Sequence, residues 1–324
     1  METIRALSNW QLTVRREDGE ITILRAQSCD HSAVLPEELF GLPVTRLADR
    51  SLAPDVPEVP GEEVLLTGGA EEDEWDNRGI RELKLPRTLR HIDDYAFMNL
   101  RKMETLHLYD RLESTGSCTF MNCRAFSRIE LTREGHGQGP ALANLVSSQP
   151  QELDVTIREA DGACYRLVFP EYSETYTENH AAHLFNFNIV GAGYPYHNVF
   201  RNKSFAVADY DALWPQFLAT EHEEGTALRL AWLRLRWPEA LGEKARAQYL
   251  AYLAAHADEA LSLTLRNNDT DGLRLLLRCI TPESAALSAA LELARELRRT
   301  EATAILLEAG HRRAAAGRAK RYAL

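Results

Sequence analysis

His180, His183 and His197 come closest, in type and spacing, to residues that could do chemistry. His180-x-x-His183 would meet across one helical turn, and with His197 the pair suggests a metal or hydrolytic site within residues 170–203. No carboxylate follows at metal-site spacing, which weakens that reading. Cys118 and Cys123 lie five apart. Zinc there would need two further ligands, and only His107 or His136 is nearby, so packed thiols are the simpler expectation. The tract Glu71, Glu72, Asp73, Glu74 and Asp76 lacks the alternating carboxylates and central glycine of a calcium loop, and reads as a solvated insertion. Gly191-Ala192-Gly193 lacks the third glycine and the strand–turn–helix setting of a dinucleotide fingerprint. The expectation is no metal and no cofactor.

Something must position these side chains, and bulk properties bound what that is. The 324 residues are 45% hydrophobic and 26% charged, enough for two or three domains of an ordinary globular protein. A net charge of -11 argues against nucleic acid as partner, which needs basic surface. No apolar run approaches the roughly 20 residues that span a bilayer, and the first residues lack the basic and apolar regions of a secretory leader. Five scattered cysteines fit reduced thiols. Together these give a cytoplasmic location with no membrane partner.

The dominant pattern is a repeat. Leu83-Lys84-Leu85, Leu106-His107-Leu108 and Ile129-Glu130-Leu131 are spaced by 23 residues, as are Leu89 with Leu112, Phe97 with Phe120 and Asn99 with Asn122. Such a period marks a leucine-rich solenoid. Val34 to Leu52 reads as a longer first copy with about five extra residues around Gly41. Two leucines of each strand would face the core and the residue between them the other side. The pattern Ile80-x-x-Leu83-x-Leu85-Pro86-x-x-Leu89-x-x-Ile92-x-x-x-Ala96-Phe97-x-Asn99 resembles the BspA-like family of bacterial leucine-rich repeats, over residues 33–131. The second copy departs from it at Thr115 and Tyr109. The resemblance implies a fold more than a function; such repeats often occur on surface proteins that bind host components or glycans.

Hairpins flank the repeats. Trp10, Leu12 and Val14 lead through Asp18-Gly19 to Ile21 and Ile23, and Leu153, Val155 and Ile157 lead through Asp161-Gly162 to Tyr165, Leu167 and Phe169. Residues 170–217 are rich in aromatics interleaved with polar groups. They fit a packed junction or, since Tyr, Trp and Arg anchor interfaces, a partner surface. From Ala208 the period is helical. Six helices are expected, among them one opened by Thr281-Pro282 and a last one ending near Gly310, followed by a basic tail. Leu275-Leu276-Leu277 and Ile305-Leu306-Leu307 recur 30 residues apart, and residues 301–310 resemble the second helix of an ankyrin repeat without that family's Thr-Pro-Leu-His signature.

The expected fold is α+β: a short leucine-rich-repeat β-solenoid flanked by β-hairpins, then an aromatic junction and an α-helical, repeat-like domain. The expected divisions are 1–150 with an acidic insertion at 54–78, 151–206, and 207–324. The expected function is a non-enzymatic intracellular adaptor or scaffold that binds a protein partner. The alternatives are a hydrolase or metal-dependent enzyme with its site in 170–203, and a surface protein binding host components or glycans. Candidate contact residues are Glu82, Lys84, Thr105, His107, Arg128 and Glu130 on the outward side of the strands, and Tyr194, Tyr196, His197 and Arg201 in the aromatic segment.

Overall fold

The structure, a computed structural model, describes residues 2–68, 75–136, 140–179 and 184–322. The chain divides into two compact units, Met1–Glu221 and His222–Leu324.

The first unit opens with β1 (Glu2–Arg5), β2 (Trp10–Glu17) and β3 (Glu20–Gln27). The β2–β3 turn, Asp18-Gly19, has positive φ at both residues (51° and 77°), as a two-residue hairpin turn requires. Next come β4 (Ser32–Val34), β5 (Glu38–Leu39), β6 (Leu42–Leu47), β7 (Glu62–Thr67), β8 (Glu82–Lys84), β9 (His91–Ile92), β10 (Thr105–Tyr109), β11 (Ser114–Thr115) and β12 (Arg128–Thr132). Helix α1 (Ala141–Ser147), the hairpin β13 (Leu153–Arg158) and β14 (Cys164–Phe169), and the ribbon β15 (Ser173–Asn179) and β16 (Leu184–Val190) follow. Short helices α2 (Tyr194–His197), α3 (Val207–Ala212) and α4 (Trp214–Ala219) complete the unit.

These strands build a β-solenoid of about five turns with two walls. One wall has the order β14-β13-β12-β10-β8-β4, parallel except for the antiparallel edge strand β14. The other has the order β1-β7-β2-β3-β6-β9-β11, with β5 folded back on β6. The 23-residue period becomes register: Leu83 pairs with Leu106 and Leu106 with Ile129. All three are fully buried, each contributing about 1.5–3 kcal/mol of transfer free energy. On the second wall Leu47, Ile92 and Thr115 line up. The rings of Phe97 and Phe120 lie 5.3 Å apart, tilted by 51°, behind the coils, and Phe120 stacks on Phe126 at 4.4 Å.

The two hairpins close different walls. β3 lies parallel to β6, whereas β13 lies parallel to β12 and continues the repeat sheet across residue 150. The insertion 54–78 is more than a loop: β7 pairs with β1 and β2 and widens the N-terminal cap. Its tract 71–74 lies outside the described residues. Helix α1 was not foreseen; it packs beside β11, where another short strand would otherwise follow. The hairpin β15–β16 was also missed, because its aromatic and polar residues alternate without a core to identify the buried face.

The second unit is helical: α5 (Glu224–Arg236), α6 (Glu243–Ala255), α7 (Ala257–Arg266), α8 (Thr270–Cys279), α9 (Ser284–Glu296) and α10 (Thr300–Tyr322). α7 packs on α9 and α8 on α10. The turns after α7 and α9 share one geometry 30 residues apart: Asn268 and Arg298 have positive φ (53° and 54°), Asp269 N–H donates to Thr264 O, and Arg299 N–H to Ala294 O. Leu276 and Leu306, also 30 apart, are fully buried. Two expectations fail here. Thr281 does not cap α9, which begins after Glu283 without a side-chain cap. The last helix does not stop at Gly310, since the backbone stays helical to Tyr322.

Candidate functional site

On the repeat sheet, alternation buries the leucines and turns the residues between them outward. Lys84, His107, Glu130 and Thr156 stand side by side in one row; Glu82, Thr105, Arg128 and Asp154 form the next. Strand spacing of about 4.8 Å lets neighbouring side chains meet. The side chains pair diagonally: His107 Nε2 lies 2.5 Å from Glu82 Oε1, and Arg158 donates to Glu130 at 2.6 Å. Ser32 Oγ donates to the other Glu82 oxygen at 3.1 Å. Lys84 and Arg128 remain exposed. Thr105 does not: at 8% exposure it sits low between its neighbours and offers little contact area. Pairs of this kind are partly solvated, so each is worth at most about 1 kcal/mol. They order a polar surface more than they stabilise the fold.

The aromatic segment resolves into surface and interior. Tyr194 is half-buried, with its ring edge-on to Tyr172 at 5.3 Å, and Arg201 is exposed and paired with Asp209 at 2.7 Å. Tyr196 and His197, expected at a contact surface, are fully buried. Tyr196 packs edge-on against Tyr210 at 4.8 Å and Phe217 at 5.6 Å. Among the described residues its hydroxyl is buried without a hydrogen-bond partner, and burial raises its pKa well above the usual phenol value. His197 is held at both ring nitrogens: Nδ1 lies 3.0 Å from Val146 O and Nε2 2.8 Å from Pro170 O. A ring engaged by two carbonyls has no lone pair directed at a metal, so His197 cannot serve the expected site. It ties α1, the end of β14 and α2 together. Burial lowers its pKa, and the backbone contacts oppose that shift. His180 and His183 lie outside the described residues.

Among the described residues, no group of three or more His, Cys, Asp or Glu is placed to hold a metal ion. Cys123 is buried, its thiol donating to Phe97 O at 3.0 Å, and burial pushes its pKa up to about 12. Cys118 is exposed. No helix among the described residues is long and apolar enough to cross a membrane.

Comparison with known proteins addresses the same repeats. Residues 71–136 match the family described as BspA type leucine rich repeat region. No curated protein matches in sequence. Two solved structures are similar over part of the chain. One is the leucine rich repeat protein of T. pallidum, 18% identical with a TM-score of 0.28, the match covering 39% of this chain and 53% of that one. The other is a leucine rich cell surface protein from Faecalibacterium prausnitzii A2-165, 16% identical with a TM-score of 0.27, covering 39% and 31%. The chain thus spans about half and about a third of the two proteins' lengths. Sequence period, register and family match agree on BspA-type leucine-rich repeats over residues 71–136.

Proposed function

We propose that this protein is a non-enzymatic scaffold that binds a protein partner inside the cell. The observation that carries the reading is the outward face of the six-stranded wall. Its Lys84–His107–Glu130 row is fixed by strand register over a fully buried leucine core, so the surface is preformed and loses little freedom on binding. Repeat surfaces of this type recruit partners through extended contact. The odd, scattered set of five thiols, with Cys118 on the surface, fits a reducing compartment. The competing hydrolytic or metal-dependent reading drew on three histidines, and His197 is committed to backbone carbonyls.

The test is co-precipitation with the full chain as bait, read by mass spectrometry, against a Lys84→Glu/Arg128→Glu double variant. Both residues are exposed, so the variant should fold normally. A partner captured reproducibly by the wild type and lost with the double variant supports the reading. Stoichiometric metal in the purified protein, or hydrolysis of any ester or peptide substrate abolished by changing His180 or His183, overturns it.

A further inference from the structure

Among the described residues the ribbon β15–β16 forms a sheet of its own, with one edge of each strand outside any sheet. A two-stranded hairpin is at best marginally stable in water, and an open edge is a template for another strand. Exposed apolar surface concentrates around it. Among the described residues, three of the seven exposed large apolar side chains are on the ribbon: Tyr176 (68%) and Ile189 (38%) share one face by register, and Val190 (50%) stands on the other. Isolated exposed leucines are unremarkable, but a cluster at a free edge marks a contact site.

At the base of β16, Ile189 borders a half-open pocket of about 190 Å³. Ile189, Gly191, Ala192, Tyr194, Tyr196 and Phe217 line it, with Gln216 and Thr220 also on its wall. That volume is below the roughly 300–1,000 Å³ of cofactor and drug-sized sites, and suits one large apolar side chain. The walls are fixed in advance: Tyr196 and Phe217 are buried, and a Cβ on Gly193 would collide with Pro170 O and Glu171 O. Three exposed glutamates adjoin the pocket by register, backbone contact or sequence. Glu174 is the cross-strand partner of Ile189, the Glu171 carbonyl lies against Gly193, and Glu221 follows Thr220; all three glutamates are exposed.

We propose that this corner binds an extended segment of a partner protein that adds to the β16 edge, seats one bulky apolar side chain in the pocket, and carries Lys or Arg on either side of that anchor. Strand addition supplies backbone hydrogen bonds, the pocket supplies specificity, and the glutamates favour basic flanks. The proposal deepens the scaffold reading and rests on it, but uses a different surface from the Lys84–His107–Glu130 face.

The test pans a phage-displayed library of random linear peptides, about twelve residues long, over the immobilised full chain. The expected winners share an apolar anchor with Lys or Arg neighbours. Their affinity should fall about tenfold or more with Ala192→Phe, which fills the pocket. Ile189→Lys, an exposed change that leaves the core untouched, should weaken them similarly. Glu171→Lys/Glu174→Lys should weaken them about three- to tenfold and flatten the salt dependence. Lys84→Glu should leave them unchanged, which separates this site from the sheet face. No enrichment, acidic winners, or winners that bind the Ala192→Phe and Ile189→Lys chains as well as the wild type would each overturn the proposal. Partner capture lost only on Lys84→Glu/Arg128→Glu would overturn it while leaving the scaffold reading in place.

Discussion

The Tyr210 hydroxyl closes the open edge of β14, accepting from the Val168 N–H at 3.1 Å and donating to the Val168 carbonyl at 2.6 Å. Val168 is fully buried although it lies on an edge strand, so its backbone groups need partners from outside the sheet. One phenol supplies both. The aromatic segment therefore finishes the C-terminal end of the repeat wall, besides carrying the chain on toward the helical unit.

Tyr210→Phe should consequently destabilise the first unit by about 1–3 kcal/mol, because it strands a buried donor and acceptor. The midpoint of thermal unfolding should fall by several degrees. Tyr196→Phe should do the reverse or nothing. Its ring lies 4.8 Å from that of Tyr210, but its hydroxyl is buried without a partner among the described residues. Urea unfolding of the two variants compares them directly; since both keep the ring, equal losses would show that the two Val168 bonds contribute no more than the unpartnered hydroxyl does.

Asn122 Nδ2 donates to Asn99 Oδ1 at 2.9 Å, and both residues have positive φ (62° and 66°). Asparagine tolerates this left-handed region better than other residues with a side chain. Asn99→Ala should cost about 1–2 kcal/mol from backbone strain, with the lost side-chain bond adding to it. Asn99→Gly should recover the backbone part while still lacking the ladder contact. Stability measured on the two variants separates the contributions, and Asn99→Gly proving worse than Asn99→Ala would refute the strain argument.

The repeats were legible because period and burial coincide there. A step of 23 residues puts Leu83, Leu106 and Ile129 in register, so pattern alone identifies the inward side. The helices of the second unit were legible for the same reason, apart from their ends. The aromatic segment was not. His197 is buried by Val146 and Pro170, which are 51 and 27 residues away. Nothing in the local run Tyr194-Pro195-Tyr196-His197 distinguishes a surface tyrosine from an interior one. The short strands of the second wall were missed because two residues, as in β9 and β11, carry no period.

Cysteine chemistry separates two thiols that the sequence places five residues apart. Cys118 is exposed and Cys123 is buried with a pKa raised to about 12. Iodoacetamide at neutral to mildly alkaline pH should alkylate Cys118 in the native protein and leave Cys123 unmodified, since the thiolate is the nucleophile. Mass spectrometry of tryptic peptides reads the result, and labelling of Cys123 should appear only once the protein is unfolded. Equal native rates at the two sites would mean that the coil opens readily around Phe97.

His197 should make the first unit sensitive to mild acid. Its folded pKa lies below the ordinary 6.5, chiefly because burial disfavours the cation. The unfolded chain therefore binds this proton more tightly than the folded one. The histidine's contribution is intact above pH 6.5, declines as pH falls below that value, and levels off once the pH is below the folded pKa. The carbonyl contacts limit the effect, because an imidazolium could donate to both Val146 O and Pro170 O whereas a neutral ring donates to one. His197→Gln keeps one amide donor and removes the titration. It should lower stability at neutral pH yet flatten the slope between pH 6.5 and the carboxylate range. The comparison is urea unfolding of wild type and variant across that interval. A variant with the same slope would assign the acid sensitivity to another group, and a wild type that gains stability on acidification would mean that the two carbonyls outweigh the burial.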